Sequence, residues 1–281
     1  MASIKDKLLA IGAALAYPQV RLKPAITKEH FSGKWVLVTG ASHGIGRALT
    51  EKLIDADANV FLISRSEAEL QCLCDRAKQR GNCADYCAID LRDREKLELL
   101  CQKLKETLPQ LDYFFCNAGK SIHRKITDAL DRLHDYDRTI DLNYRALVAL
   151  SLTLLPALKA SKGSIIYSSS VSTRYPMAPG WSAYHASKCA ANTWCETANS
   201  EFAPLGVRVQ IAYLPLVHTA MSDVNERYRQ LPAYYPADAA NILLRLAIRK
   251  RKRYQPWWAK LSAPIAYLFA PIVHLFYKRV V

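Results

Sequence analysis

Short runs of β-branched and aromatic residues alternate with longer stretches of helical character from Trp35 onward. This alternation is typical of a parallel sheet whose buried strands are connected by helices. Because no internal repeat or low-complexity linker divides the run, we predict one α/β domain with a doubly wound parallel sheet and helices on both faces. The predicted strands are Trp35–Thr39, Asn59–Ser64, Ala84–Ile89, Leu111–Cys116, Ser164–Ser168 and Val207–Tyr213, with helices near 45–57, 66–80, 93–107, 135–160 and 183–203.

Both ends of the chain depart from this alternation. Leu8–Tyr17 is an apolar stretch behind two lysines, without a convincing cleavage site, so we predict an uncleaved helix that packs on the body or lies on a bilayer. At the other end, the basic run Arg249–Arg253 precedes Trp257 and Trp258. We therefore expect three parts: an apolar and basic helical segment at 1–32, the catalytic domain at 33–250, and a basic, tryptophan-containing apolar tail at 251–281.

The tail has two interpretations. The apolar segment Leu261–Tyr277 would be about 25 Å long as a helix, which is short of a hydrocarbon core of about 30 Å. It therefore fits a monotopic anchor with tryptophan at the interface and lysine and arginine on the headgroups. Alternatively, it forms helices that bury their apolar face in a dimer or over the active site. The adjacent basic run favours the membrane, and we expect a cytoplasmic protein associated peripherally or monotopically with a membrane.

The formal net charge of +14 is concentrated at the ends of the chain. Residues 1–34 hold six basic and two acidic side chains, residues 239–281 hold nine basic and none acidic, and the body between them holds 24 basic and 23 acidic. An almost neutral body without a module that reads bases argues against nucleic acid as a partner. Basic ends beside apolar segments indicate an anionic membrane surface instead.

The eight cysteines form no CxxC pair, and no histidine cluster has the spacing of a zinc site. We therefore predict no metal site, and thiols that pack inside the protein in a reducing compartment.

A glycine-rich loop follows the first predicted strand and leads into a helix. Gly40, Gly44 and Gly46 permit a tight turn and a close approach of the backbone to a pyrophosphate, whose charge the N–H groups at the start of the helix receive. A glycine triplet alone is weak evidence, but its place between a strand and a helix favours a dinucleotide site.

The end of the second predicted strand indicates which dinucleotide binds. An enzyme that favours NAD places a carboxylate there for the ribose hydroxyls, whereas this chain has Ser64 and Arg65. Arg65 alone would be interpreted as a solvated arginine. Together with Ser64 and His43 it suits a 2′-phosphate, so we predict NADP(H) as the cofactor.

Tyr184 and Lys188 are four residues apart in a predicted helix and therefore share one face of it. A phenol with an ordinary pKa of about 10 is a poor acid–base catalyst at neutral pH. The ammonium group of Lys188 and the charge of a cofactor would lower that pKa.

These features together resemble the short-chain dehydrogenase/reductase family over about residues 33–250. The family pattern appears as Thr39-Gly-x-x-x-Gly44-Ile45-Gly46, Asn117-Ala118-Gly119 after the fourth strand, Asn143 in a helix, Ser170 after the fifth strand, and Tyr184 with Lys188. The resemblance implies a Rossmann-type sheet and hydride transfer from a nicotinamide to a carbonyl. The family's usual final strand, with its Asp-Gly-Gly ending, is absent from the sequence.

The resemblance also assigns roles. Tyr184 donates a proton to the carbonyl oxygen, Ser170 binds that oxygen, Lys188 binds ribose hydroxyls, and Asn143 positions a water. Ser170 is chosen among several neighbouring serines for its distance from Tyr184. The implied cofactor-binding residues are Gly40, Ser42, His43, Gly44, Ile45, Gly46, Ser64, Arg65, Asp90 at the adenine, Asn117, Ala118, Gly119, Tyr184, Lys188, and Thr219 at the nicotinamide amide.

The segment Leu214–Met221 has a Pro-Leu-Val-x-Thr-x-Met form that looks like the branch of fatty acyl-CoA reductases and related lipid-carbonyl reductases. This resemblance implies a lipophilic substrate, either a fatty acyl-CoA or long-chain aldehyde, or a 3-oxo lipid or sterol ketone. A non-catalytic, membrane-associated nucleotide-binding scaffold is the alternative of another class. Homo-oligomers through helices 135–160 and 183–203 are possible. We expect Met221–Tyr235 to be a mobile lid and Arg174, Tyr175, Met177 and Trp181 to line the entrance.

Overall fold

The computed structural model describes residues 12–272 and 275, and its sheet has seven parallel strands. Their order in the sheet is β3-β2-β1-β4-β5-β6-β7, which confirms the predicted doubly wound α/β fold. The strands are β1 (Trp35–Thr39), β2 (Asn59–Ser64), β3 (Ala84–Ala88), β4 (Tyr113–Cys116), β5 (Ser164–Ser170), β6 (Arg208–Leu214) and β7 (Arg253–Tyr254).

Helices cover both faces of this sheet because successive strand residues point to opposite sides. Val36 and Val38 of β1 join one apolar core, and Leu37 between them joins the other. The helices are α1 (Pro24–Phe31), α2 (Gly44–Asp55), α3 (Glu67–Gln79), α4 (Arg94–Thr107), α5 (Leu133–Ile140), α6 (Ala146–Ser161), α7 (Ser182–Phe202), α8 (Glu226–Arg229), α9 (Pro236–Arg249) and α10 (Trp257–Leu268).

The strand order reverses at β1, which pairs with β2 on one side and β4 on the other. Connections from β1 and β4 leave toward opposite faces at such a point, so a crevice opens beyond the carboxyl ends of the strands. The glycine loop after β1 and the segment after β4 meet in this crevice.

The predicted helix 135–160 is wrong in one respect. It consists of α5 and α6, joined by a turn of π-helix at Asp141–Arg145. The apolar period continues through both parts, so the pattern gives no sign of the extra residue in the turn.

The expectation of six strands is also wrong. Arg253 and Tyr254 pair in parallel with Ile211 and Ala212 of β6 and form a seventh strand inside the range assigned to the tail. Two residues are too few for a periodic signal. In addition, Ser170 is the last residue of β5 and does not follow the strand.

No helix within the described residues is long and apolar enough to cross a membrane. Parts of the two predicted terminal segments, residues 1–11 and residues 273, 274 and 276–281, lie outside the described residues. Residues 12–16 are helical, and all eight cysteines are free thiols. Cys72 and Cys83 are exposed, so the prediction that the thiols pack inside the protein is wrong for these two.

Candidate active site

The glycine loop after β1 packs directly against the segment after β4. Gly40 has φ +67°, and a Cβ added to it would lie 3.0 Å from the Ala118 Cα. A Cβ on Gly46 would lie 2.0 Å from the carbonyl oxygen of Gly40, a distance that no side chain tolerates. A Cβ on Gly44 would lie 3.2 Å from the side chain of Thr219. The loop therefore requires glycine at each of these positions, and it brings Thr219 to the crevice.

Thr39 connects the ends of β1 and β4. Its buried Oγ1 accepts hydrogen bonds from the backbone N–H groups of Asn117 and Ala118, each at 3.1 Å. The Asn117 amide donates in return to the Thr39 carbonyl oxygen at 3.4 Å. The sequence pattern contains Thr39, but we did not predict this role for it.

The start of α2 has the properties of an anion site. His43 occupies the N-cap position without a capping side-chain hydrogen bond, and the first turn contains no acidic residue. The Ser42 hydroxyl lies 2.8 Å from His43 Nδ1, and the next residues are Gly44 and Ile45. N–H groups at the start of a helix that no side chain caps attract negative charge, so the loop fits the pyrophosphate of a dinucleotide.

The end of β2 carries positive charge. Arg65 is exposed beside Ser64, whose Oγ accepts a hydrogen bond from the Ser66 N–H at 3.3 Å. Asp90 follows the neighbouring strand β3 and forms a two-pronged ion pair with Arg92, with contacts of 2.9 and 2.5 Å. Hydrogen bonds from Arg92, with a smaller effect from the charge of Arg65, lower the pKa of Asp90 to about 2.

Arg92 was not among the predicted site residues. Its signal in the sequence is the spacing Asp90-x-Arg92, which places the two side chains together when a turn follows the strand. Because Arg92 compensates the charge of Asp90, the carboxylate adds little repulsion toward a phosphate near Arg65.

Lys188 is almost fully buried at the centre of the crevice, with 4% of its surface exposed. Its Nζ donates to the Ser168 carbonyl oxygen at 2.8 Å and lies 4.7 Å from the centre of the Tyr167 ring. Burial lowers the pKa of Lys188 to about 8. A Cβ on Gly119 would lie 3.4 Å from this Nζ and 3.3 Å from Asn143 Oδ1, so these three predicted site residues converge.

Tyr184 lies one helical turn before Lys188 and is paired with Ser170. Burial raises the pKa of the Tyr184 phenol, hydrogen bonding with Ser170 lowers it, and Tyr228 raises it. The net direction is upward, so the phenol is protonated at neutral pH, as a proton donor must be. That Lys188 lowers this pKa stays a prediction.

Asn143 lies in the π turn and is buried. Its Oδ1 accepts from the Lys120 N–H at 2.9 Å, and its Nδ2 donates to the Lys120 carbonyl at 3.0 Å and to the Ser187 hydroxyl at 2.9 Å. Its backbone carbonyl accepts from the Tyr167 hydroxyl at 3.3 Å. The side chain thus connects α7 to the segment after β4. These partners lie 23 to 44 residues away, so no local sequence pattern identifies them.

Aromatic side chains surround the Tyr184 phenol. Trp181 lies 6.1 Å from the Tyr184 ring, 4.6 Å from His123, and stacks on Tyr228 at 5.7 Å with the planes only 8° apart. Tyr228 belongs to the segment Met221–Tyr235, which we predicted to be a lid. This segment therefore contacts the site, and its mobility stays a prediction.

The other predicted entrance residues have different neighbours. The Tyr175 hydroxyl lies 2.7 Å from Ser262 Oγ and brings α10 beside the segment that follows Ser170. The Arg174 guanidinium packs over the Tyr213 ring at 5.1 Å, which is a packing contact. Met177 is half-buried in the same loop.

Comparisons with known proteins agree with this geometry. A family model described as short chain dehydrogenase matches residues 34–229. A fatty acyl-CoA reductase of Acinetobacter baylyi is 33% identical over 251 residues, covering 89% of this chain and 84% of that protein. A fatty acyl-CoA reductase of Mycobacterium tuberculosis is also 33% identical, over 85% of this chain and 82% of that protein.

Solved structures share the fold. A short-chain dehydrogenase from Sphingobium yanoikuyae, solved in complex with NADPH, superimposes with a TM-score of 0.73 at 24% identity, covering 84% of this chain and 95% of that one. The matched family region spans the strands from β1 to β6, with the glycine loop, Tyr184 and Lys188. The chain belongs to the short-chain dehydrogenase/reductase family.

Proposed function

We propose that the protein is an NADPH-dependent reductase of a carbonyl group in a lipophilic substrate, a fatty acyl-CoA or a long-chain aldehyde. The observation that carries this proposal is that Lys188 Nζ lies beside Gly119 and Asn143 in the crevice, with the Tyr184 phenol one helical turn away and hydrogen-bonded to Ser170. The similarity to two fatty acyl-CoA reductases over more than four fifths of the chain supports the substrate class.

Each site residue has a separate role in the reduction of the carbonyl group. NADPH, when bound, supplies the hydride that reduces the carbonyl carbon. With an aldehyde this gives the alcohol; with an acyl-CoA it gives a hemithioacetal, whose C–S bond then breaks as its hydroxyl proton passes to sulfur, leaving the aldehyde and free CoA. Tyr184 gives its phenolic proton to the carbonyl oxygen; because burial raises the pKa of the phenol, this transfer depends on the charge that develops on the oxygen and on the positive charges of Lys188 and the bound cofactor. Ser170 donates a hydrogen bond to the same oxygen and stabilises this charge. Lys188 carries positive charge below pH 8 and would hold ribose hydroxyls beside Gly119.

NADPH is proposed over NADH because of the charges at the end of β2. Arg65 is exposed where a 2′-phosphate would lie, and Asp90 is already paired with Arg92. Guanidinium groups bind phosphate through charge-assisted hydrogen bonds, whereas a free carboxylate would repel it. The NADPH in the related Sphingobium yanoikuyae enzyme supports the same choice.

Two other functions are compatible with this fold. A 3-oxo lipid or sterol ketone would be reduced to an alcohol by the same residues. A non-catalytic nucleotide-binding scaffold would bind NADPH without oxidising it. The presence of Asn143, Ser170, Tyr184 and Lys188 together argues for the enzyme, since a binding module has no use for a proton donor at that place.

A substrate screen separates these alternatives. NADPH oxidation is followed with a long-chain acyl-CoA, a fatty aldehyde and a 3-oxo lipid, and product masses are measured. We expect turnover with the acyl-CoA or the aldehyde; free CoA and aldehyde together identify thioester reduction. Oxidation with the 3-oxo lipid alone would select the ketone reductase. NADPH binding without oxidation by any of the three would contradict the proposal and favour the scaffold.

A further inference from the structure

Helix α10 exposes most of its large apolar side chains, which is the reverse of an ordinary surface helix. Its inward side carries the buried Ala259 and Ala263, Ser262, which contacts Tyr175, and the half-buried Trp258, whose indole donates to the Ala16 carbonyl. The large apolar side chains point outward, with Leu261 64% and Leu268 75% exposed. Together with the residues that follow, they form what we call the α10 outer face: Trp257, Leu261, Ile265, Leu268, Phe269, Ile272 and Leu275.

The spacing of these residues makes the exposed surface continuous. Positions three and four apart lie on one side of a helix, so Trp257, Leu261, Ile265 and Leu268 form one stripe. Lys260 is the charged residue within α10, on its exposed surface. Single exposed leucines are normal on a protein surface, but a contiguous apolar patch marks an interaction site.

The charges beside the α10 outer face identify the kind of partner. Residues 249–252 are arginine or lysine, all exposed, and they precede α10 in the sequence, with β7 and a two-residue connection between them and Trp257. No acidic residue occurs in the sequence after Asp238. An apolar face beside a run of cations complements a bilayer with anionic headgroups.

A second copy of the chain fits this surface less well. In a two-fold dimer the same patch meets itself, so the basic run of one copy would lie near that of the other. Like charges brought together in this way oppose association. An anionic bilayer instead satisfies the apolar and basic parts at once.

We propose that the α10 outer face and the exposed basic residues 249–252 dock the protein on an anionic lipid bilayer. The contact between Tyr175 and Ser262 places this surface next to the entrance of the active site. If the substrate is lipophilic, as the proposed function holds, it passes from the bilayer into the crevice at this point. Docking itself does not depend on the substrate.

Vesicle flotation tests the proposal with the full-length protein. We expect flotation with vesicles of phosphatidylcholine containing about one quarter phosphatidylglycerol, and little with phosphatidylcholine alone. Leu261→Glu should weaken partitioning about tenfold or more, because it places a carboxylate among the lipid chains. The matched control is Leu99→Glu on α4, since Leu99 has the same 64% exposure and lies outside the surface.

Charge reversal tests the basic part separately. Lys250→Glu/Lys252→Glu should weaken flotation with anionic vesicles about tenfold or more, and Lys105→Glu on α4 should leave it unchanged. Circular dichroism and turnover of a water-soluble short-chain aldehyde without vesicles check that each variant is folded.

Three results would overturn the proposal. The first is wild-type protein that floats with neither kind of vesicle. The second is Leu261→Glu protein that floats as well as the wild type. The third is a wild-type dimer that binds no lipid and becomes a monomer in Leu261→Glu, which would assign the surface to a second copy. A protein that floats but reduces no carbonyl would contradict the proposed function and leave docking intact.

Discussion

Arg65 is the residue that we expect to select NADPH over NADH. It lies exposed at the end of β2, and its charge makes a small contribution to the lowered pKa of Asp90, which Arg92 chiefly causes. Asp90 itself is occupied by Arg92. The exposed Arg65 is therefore available to bind a phosphate, and Arg92 already neutralises the nearby Asp90 carboxylate.

We predict that Arg65→Ala weakens NADPH binding about tenfold or more and leaves NADH binding unchanged, because a charge-assisted hydrogen bond is worth about 1.5–3 kcal/mol. Fluorescence titration with both cofactors measures this. Arg138→Ala, which removes an exposed arginine of α5, is the control and should change neither affinity. Equal weakening of both cofactors would mean that Arg65 does not recognise the 2′-phosphate.

At the level of single residues, sequence spacing identified the side chains that share a local element. Tyr184 and Lys188 are on one helix, and Gly40, Gly44 and Gly46 are in one loop. Their partners came from elsewhere in the chain. Tyr167 supports both Lys188 and Asn143, but nothing in an apolar strand distinguishes it from an ordinary core residue.

The π turn between α5 and α6 could not be predicted from the sequence, which indicated one continuous helix there. Its position follows from hydrogen bonds of Asn143 to Lys120 and Ser187, which form only when three separate segments meet. The Tyr167 hydroxyl then takes the Asn143 carbonyl as acceptor. Such turns are frequent at functional sites, and here the turn places Asn143 beside Lys188.

We predict that Tyr167→Phe lowers turnover severalfold and leaves KM for NADPH nearly unchanged. The ring beneath Lys188 remains in this variant, and only the hydrogen bond to the π turn, worth about 1 kcal/mol, is lost. Steady-state kinetics and thermal unfolding measure the effect. Tyr113→Phe in β4 is the control for loss of a partly buried hydroxyl. Turnover equal in the two variants would show that the hydroxyl does not position the turn.

Over the whole molecule, the alternation of strands and helices was enough to predict the doubly wound parallel sheet. The arrangement of the ends was not, because it depends on contacts across the length of the chain. The Trp257 and Trp258 indoles donate to the carbonyls of Leu15 and Ala16 at 2.8 and 3.1 Å. These partners are 242 residues apart, and no local pattern pairs them.

These contacts also show where the N-terminal segment lies. The sequence analysis allowed it either to pack on the body or to lie on a bilayer. Asn241 of α9 donates to the Val20 carbonyl at 2.7 Å, and Tyr234 donates to the Pro18 carbonyl at 3.2 Å. The described part of this segment therefore packs on the body. It also supports the first turn of α10 through Trp257 and Trp258.

The most direct test of the central claim, a proton-donating tyrosine beside a bound NADPH, is the Tyr184→Phe variant. Turnover of the best carbonyl substrate and the Kd for NADPH are measured on the same preparation, with Tyr113→Phe as the control. We predict that turnover falls by about a hundredfold or more while the Kd for NADPH stays close to the wild-type value. Turnover within about threefold of the wild type would contradict the claim, because general acid catalysis contributes far more than that.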